Sequence, residues 1–322
     1  MNIIQNASIN PGTRVFVRCD LDVPIDQRSI QETHRLDSDL ETLHYIIEKG
    51  GIPVIAGHMG KPDGTNNNAL STRQLLPYFN EKLKRGSFEL LENLRFDPRE
   101  EANDQNYAKE LATRASMYVN ESFTTSHREH ASIVSVPKYL PHYAGFRLQK
   151  EAEVLGKLIE TAEKPFVAIV GGAKLESKMP VITKLLKITD KVLLGGKVAI
   201  SWKGPAPENL ILPIDDITEK DIGPKTISEF KKILSTAKTV FWAGPLGMYE
   251  NDLYFNGTKE VANEIARLTK EGALTSIAGG GDTTNAIEKA GVLDEFTFVS
   301  VGGGAALQYL VDGTLPGIEV LN

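Results

Sequence analysis

The chain has 322 residues, of which 41% are hydrophobic and 24% charged, with a formal net charge of −6. That balance excludes a disordered tail, a collagen-like repeat and a membrane bundle, and the acidic surplus argues against a general nucleic-acid binder. A single cysteine, Cys19, cannot close an internal disulfide, which fits a reducing, cytoplasmic setting. The opening MNIIQNASINPGTR lacks a charged segment followed by an apolar core, so no secretory signal is expected. No apolar run approaches the ~18 residues of a membrane span.

In chain order, short apolar runs read as buried strands at Arg14–Cys19, Pro53–Ala56 and Met117–Asn120. The second half repeats the pattern at Phe166–Val170, Lys191–Leu194, Thr239–Trp242, Thr275–Ala278 and Phe298–Val301. Helical stretches fall between them: 36–49, 71–84, 104–116, 150–163, 177–187, 225–235 and 259–270. Strand alternating with helix predicts an α/β fold with parallel sheets. The amphipathic segment 148–164 predicts a helix connecting two such sheets.

Charge is unevenly distributed. All six histidines and 11 of the 12 arginines lie in residues 1–150, with only Arg267 beyond, while 17 lysines and 20 of the 28 glycines follow. Arginine suits bidentate recognition of carboxylate and phosphate, and glycine lets backbone approach a phosphate. The two halves therefore point to two different anion-handling tasks. Five strands of the second half run into glycine: Gly171–Gly172, Gly195–Gly196, Gly244 with Gly247, Gly279–Gly281 and Gly302–Gly304. Ligands of open parallel sheets bind outside such carboxyl ends. No phosphate-loop motif, no dinucleotide fingerprint after the first strand, no paired-histidine helix and no cysteine cluster occur.

Nine segments then carry a resemblance: RVFVRCDLDVP (14–24), HMGKP (58–62), LENLRF (91–96), NESFTTSHREHAS (120–132), GGAKLESK (171–178), WAGPLGMYE (242–250), GGGDT (279–283), SVGGGA (300–305) and LPG (315–317). In this order the chain resembles phosphoglycerate kinase. The resemblance implies two Rossmann-like three-layer domains with parallel sheets, joined by a hinge helix. Residues 1–150 plus 308–322 would form a phosphoglycerate-binding domain, and 151–307 a nucleotide-binding domain. It implies reversible phosphoryl transfer from 1,3-bisphosphoglycerate to ADP, giving 3-phosphoglycerate and ATP, by a cytoplasmic monomer without nucleic-acid or membrane partners.

By the same resemblance Arg18, Asp20, Asp22, Arg35, His58, Lys61, Arg95, Arg128 and His130 would bind the acid, and Arg35 would touch the transferred group. Arg14, Arg99, Arg114 and Arg147 read as surface residues. Gly172, Ala173, Lys174, Lys178, Gly196, Gly244, Pro245, Glu250, Gly281, Asp282 and Thr283 would bind the nucleotide. Lys174 and Lys178, four apart at a helix start, share one face beside its positive end. Asp282 would engage Mg²⁺, Thr283 a phosphate and Glu250 the ribose. Lys178, Gly281 and Gly304 would join Arg35 in stabilising the phosphoryl group in flight.

Departures from the family pattern stand beside the matches. Asp22 replaces asparagine, Lys61 arginine, Ala243 asparagine and Val301 threonine. Lys197 and Lys220 fall where the adenine pocket is expected. The stretches 202–210 and 215–220 are short, so the chain reads as a trimmed member. These departures leave a second reading open, an impaired or substrate-shifted homologue that binds phosphorylated metabolites or a protein partner.

Overall fold

The computed structural model describes residues 1–26 and 29–322. The chain divides into two compact units, Met1–Glu153 with Thr314–Asn322, and Val154–Gly313.

The first unit is built on five parallel strands: β1 (Arg14–Arg18), β2 (Ile52–Ala56), β3 (Glu89–Leu90), β4 (Met117–Asn120) and β5 (His142–Ala144). Their order is β3-β2-β1-β4-β5. Val15, Phe16 and Val17 are fully buried on both faces of β1, which requires cover on both sides of the sheet. Helices α1 (His34–Glu48) and α2 (Gln105–Ala112) belong to this unit. The Asp104 carboxylate caps α2 by accepting the N–H groups of Asn106 and Tyr107. Leu36, Leu43 and Ile46 carry the apolar stripe of α1 into the core beside Val15 and Val17.

α3 (Phe146–Glu160) runs through the unit boundary and so links the two units covalently. The chain end returns to the first unit: Leu321 O accepts the Asn2 N–H, and Gly317 O accepts the Asn120 side-chain amide.

The second unit holds six parallel strands: β6 (Phe166–Val170), β7 (Lys191–Leu194), β8 (Leu210–Ile211), β9 (Thr239–Ala243), β10 (Thr275–Gly279) and β11 (Phe298–Ser300). The order is β8-β7-β6-β9-β10-β11. Its helices are α4 (Leu175–Ile188), α5 (Pro224–Leu234), α6 (Asn256–Lys270), α7 (Gly281–Lys289) and α8 (Gly304–Asp312). Trp242, Val240 and Ile169 pack with Phe230, Val261 and Ile265 in its core.

The central strands match expectation closely. The stretch 71–84 does not form one helix: a 3-10 turn at Thr72–Leu75 precedes a helix at Leu76–Lys82, because Pro77 at the helix start has no N–H to continue the earlier turn. α7 and α8, and the edge strands β3, β5 and β8, lie outside the expected elements. Among the described residues no helix is long and apolar enough to cross a membrane.

Candidate functional site

Both sheets reverse their strand order beside the first strand, between β1 and β4 in one unit and between β6 and β9 in the other. The crevice at the carboxyl ends of those strands is where such folds bind ligands.

In the first unit, segments leaving β1, β2 and β4 bring most of the predicted acid-binding residues together. Arg18 ends β1 with no exposed surface. Its Nε donates to Ser132 Oγ at 2.9 Å, Nη1 donates to Cys19 O, and Nη2 lies 3.0 Å from His58 Nδ1. An arginine only donates, so Nδ1 is the acceptor and the neutral His58 ring keeps its proton on Nε2. Burial, with Arg18, Arg95 and Arg128 nearby, holds His58 well below the usual histidine range. His130 is pushed down to about 3 by burial and the same arginines.

Arg95 is buried. Its Nη1 donates to Gly60 O at 2.8 Å and its Nε lies 3.2 Å from Glu101 Oε1, while Nη2 has no hydrogen-bond partner among the described residues. Arg35, on the first turn of α1, donates from Nη1 to Asp22 O at 2.8 Å and approaches Asp20 Oδ2 at 3.8 Å. Burial raises the Asp20 carboxyl above its ordinary range, outweighing the opposite pull of Arg35, Thr124 and Arg18. Asp22, at the asparagine position of the family pattern, accepts the Gly60 N–H at 2.8 Å. Its other oxygen sits 3.9 Å from His58 Nε2 and 4.0 Å from Arg35. Arg128 is half-buried, with Nε 3.4 Å from His127 Nε2. Lys61 is exposed and makes no hydrogen bond or ion pair among the described residues.

The arginines read as surface residues divide. Arg14 and Arg114 pair with Glu89, and Arg99 with Asp97 and Glu110. Arg147 departs from the expectation: its side chain is only 16% exposed and pairs with the buried Glu151 at 2.7 Å. The apolar face of α3 carries it inward.

In the second unit, a cleft of about 680 Å³ opens at the carboxyl ends of β6, β9, β10 and β11. The first turns of α4, α7 and α8 line it, with Gly172, Ala173, Lys174, Lys178, Gly244, Gly281, Asp282, Thr283 and Gly304 among the lining residues. Three helix N-termini converge on one cavity, each presenting unpaired N–H groups and the positive end of its dipole. Lys178 is half-buried. Desolvation holds its ammonium below the usual lysine range against the pull of Asp282. Asp282 is exposed, and its oxygens enter no hydrogen bond or ion pair among the described residues.

The glycines fall into two groups. A Cβ on Gly171 would lie 2.1 Å from Pro245 O, and one on Gly244 2.3 Å from Gly171 O. These two residues are glycine because neighbouring loops touch backbone to backbone. Gly281, Gly303 and Gly304 line the cleft, and a Cβ on any of them meets nothing within 4 Å.

Of the other predicted nucleotide residues, Thr283 lines the cleft with its hydroxyl already committed, and Gly196, Pro245 and Glu250 lie outside the cleft lining. The Thr283 hydroxyl donates to Gly279 O at 2.9 Å and accepts the Gly244 N–H at 2.7 Å, so it ties two strand ends together and has no proton left for a phosphate. Gly196 gives its N–H to Leu246 O and lines a separate pocket of about 260 Å³, in which Ala199, Ile200 and Leu212 face Asp216, Glu219 and Asp221. Pro245 O accepts the Gly172 N–H. Glu250 is exposed, and neither pocket includes it. Lys197 is exposed, and the Lys220 ammonium sits 5.0 Å over the Tyr254 ring; neither lines that pocket. Ala243 is fully buried and its carbonyl accepts the Gly171 N–H, so it does not open a gap in the cleft.

Sequence reading missed Ser177 and Gln308 on the cleft wall, and Glu100, Glu101 and Ser132 behind the basic cluster. Ser177 and Ser132 lie inside the quoted motifs, and Gly280 and Gly303 fall within the glycine ranges read as ligand-facing. Nothing in the local pattern singled out Glu100 or Glu101.

A sequence model of the family described as phosphoglycerate kinase matches residues 4–85, 79–204 and 207–313. A phosphoglycerate kinase of Borreliella burgdorferi (strain ZS7) is 34% identical over 390 positions, covering 99% of this chain and 98% of the relative. One from Thermosipho africanus is 36% identical over 383 positions, covering 95% and 94%. These alignments are longer than the 322-residue chain, so both relatives carry segments it lacks. The family match breaks between 204 and 207, inside the short stretch read from the sequence, and again around 79–85, which the sequence reading did not flag. Among solved structures, the phosphoglycerate kinase of Coxiella burnetii superposes with a TM-score of 0.86 at 28% identity, covering 99% of this chain and 98% of that one. That of Pyrococcus horikoshii OT3 gives 0.85 at 26%, covering 100% and 98%.

Proposed function

The chain belongs to the phosphoglycerate kinase family and is a phosphotransferase, and on that premise we propose how its residues divide the reaction between 1,3-bisphosphoglycerate and ADP. The observation that carries the reading is the pair of anion sites at the two strand-order reversals, one built from arginine and histidine and the other from helix N-termini and lysine. The first suits the acid and the second the nucleotide phosphates.

An acyl phosphate and a nucleoside diphosphate exchange a phosphoryl group without a general base, because the accepting oxygen is already ionised at neutral pH. The protein's task is alignment and cancellation of charge on the group in transit. Arg35, Arg95 and Arg128 hold the acid's anionic groups, and Arg35 meets the transferred phosphoryl group. Arg18 has no exposed surface, so it acts on the acid through His58 and through its charge. Asp22 accepts from a substrate hydroxyl. Lys174 and Lys178 neutralise the nucleotide phosphates, and the N–H groups of Gly281 and Gly304 face the oxygens of the moving group.

Mg²⁺ fits this cleft. Asp282 presents an exposed carboxylate on the first turn of α7 with Lys178 close by. Magnesium is typically held by one or two carboxylates plus phosphate oxygens and water. Among the described residues no three His, Cys, Asp or Glu side chains converge on one point; Asp282 would hold the metal together with phosphate oxygens of the nucleotide. There the ion would supply neutralisation of phosphate charge.

Calorimetric titration tests the division of labour. 3-Phosphoglycerate and Mg-ADP should each bind alone, with Arg95→Ala abolishing heat from the acid only and Asp282→Ala abolishing the magnesium dependence of nucleotide binding only. Loss of both ligands in either variant, with folding intact, overturns the assignment.

A further inference from the structure

Behind the basic cluster runs a chain of buried hydrogen bonds. Glu100, in the short helix Pro98–Glu101, is fully buried. Its Oε2 accepts the Ser132 backbone N–H at 3.0 Å and its Oε1 accepts the Ser132 hydroxyl at 2.5 Å. A serine has one hydroxyl proton. With that proton committed to Glu100, Ser132 Oγ can only accept from Arg18 Nε, as the 2.9 Å contact requires. Arg18 then presents Nη2 to His58 Nδ1 at 3.0 Å. Burial raises the Glu100 carboxyl, while Arg18 and the two Ser132 bonds favour its ionised form; with Glu100 ionised, the direction of every bond follows from the two ends, a carboxylate that only accepts and a guanidinium that only donates.

We propose that Glu100 and Ser132, neither of which touches the acid, are positioning residues that act through Arg18 to hold His58 neutral with its proton on Nε2, the form that donates to an anionic oxygen of the substrate. The inference rests on the reading that this cluster binds the acid. The groups facing His58 fit it: Arg18, Arg95, Arg128 and His130 oppose a positive ring, and Asp22 Oδ2 lies 3.9 Å from Nε2 on the side that donates. The four links span four places distant in sequence: the helix at residue 100, the segment after β4 and the carboxyl ends of β1 and β2. Glu100 also offsets the buried charge of Arg18, which a neutral serine alone does not do.

The experiment is a long-range ¹⁵N–¹H spectrum of the uniformly labelled full chain, which reads the protonation of each histidine nitrogen, together with steady-state kinetics in the direction that consumes 3-phosphoglycerate. Wild-type His58 should show a bare Nδ1 and a protonated Nε2 from about pH 5 to 8. Ser132→Ala cuts the chain at its middle. Glu100→Gln weakens its start, because an amide offers one acceptor oxygen where the carboxylate offers two. In either variant His58 should populate both tautomers. The KM for 3-phosphoglycerate should rise about tenfold with kcat within about twofold and the KM for Mg-ATP unchanged. A protonated Nδ1 in the wild type overturns the proposal, as does an unchanged tautomer in both folded variants. A shifted tautomer with an unchanged KM for the acid instead removes the acid from His58, which refutes the parent reading rather than the hydrogen-bond chain.

Discussion

Replacing single glycines separates two reasons for glycine that look identical in sequence. Gly281 and Gly304 have negative φ, and a Cβ on either meets nothing within 4 Å. Alanine therefore fits without strain and restricts the unfolded chain, so Gly281→Ala and Gly304→Ala should each be neutral or stabilise by about 0.4–1 kcal/mol. At this unit size that is a rise in Tm of roughly 1–4 °C. The added methyl sits on the cleft lining, where the account places a phosphate against the helix N-terminus. Displacing that contact should weaken Mg-ADP by about 10–100-fold, or roughly 1.4–2.8 kcal/mol. Gly171→Ala is the opposite case. Its Cβ would lie 2.1 Å from Pro245 O and 2.6 Å from Gly244 O, a clash with two consecutive backbone carbonyls of one loop. It should destabilise by about 1–3 kcal/mol or more. Thermal melts and Mg-ADP calorimetry on the three variants give the answer. Normal nucleotide affinity in both Gly281→Ala and Gly304→Ala would refute the reasoning that the open glycines admit phosphate.

Further expectations test other parts of the account. Arg35→Ala should lower kcat far more than it raises the KM for the acid; unchanged turnover removes Arg35 from the transferred group. Ala243→Asn, which the family pattern recommends, should cost about 1–3 kcal/mol by burying an amide at a fully buried strand position, with no gain in Mg-ADP affinity; tighter binding at unchanged Tm contradicts the buried placement. Glu121 is fully buried and raised from 4.5 to about 7 by desolvation, against the pull of the Arg147 N–H, Thr42 and the Leu148 N–H. The folded state therefore holds a proton that the unfolded chain releases between those values. The stability contributed falls as pH rises from about 4.5 to 7, by up to about 3 kcal/mol. Glu121→Gln should flatten that slope in denaturant titrations across this range, and an identical slope refutes the assignment.

The central strands were legible because parallel strands buried on both faces appear as short unbroken apolar runs, as in RVFVR and FVAIV. Edge strands were not. Glu89–Leu90 and Leu210–Ile211 each pair over two residues, too few to give a period. α7 and α8 escaped because both open on consecutive glycines, which local propensity reads as loop; there the site overrides the preference. The same glycines pointed to the cleft of the second unit but gave no distinction between packing and ligand approach, which only the space around each Cβ supplies. Thr283 shows a related ambiguity: its motif marks the cleft correctly, but its hydroxyl joins β9 to β10. Glu100 and Ser132 could not be assigned from spacing, because their effect on His58 passes through bonds between elements far apart in the chain.

The most direct measurement is turnover of 1,3-bisphosphoglycerate with Mg-ADP in a coupled ATP-forming assay on the full chain, with Mg-GDP run in parallel. The account predicts robust, magnesium-dependent ATP formation that falls sharply in Arg35→Ala. A folded protein that binds both ligands yet forms no nucleoside triphosphate with either diphosphate would contradict it.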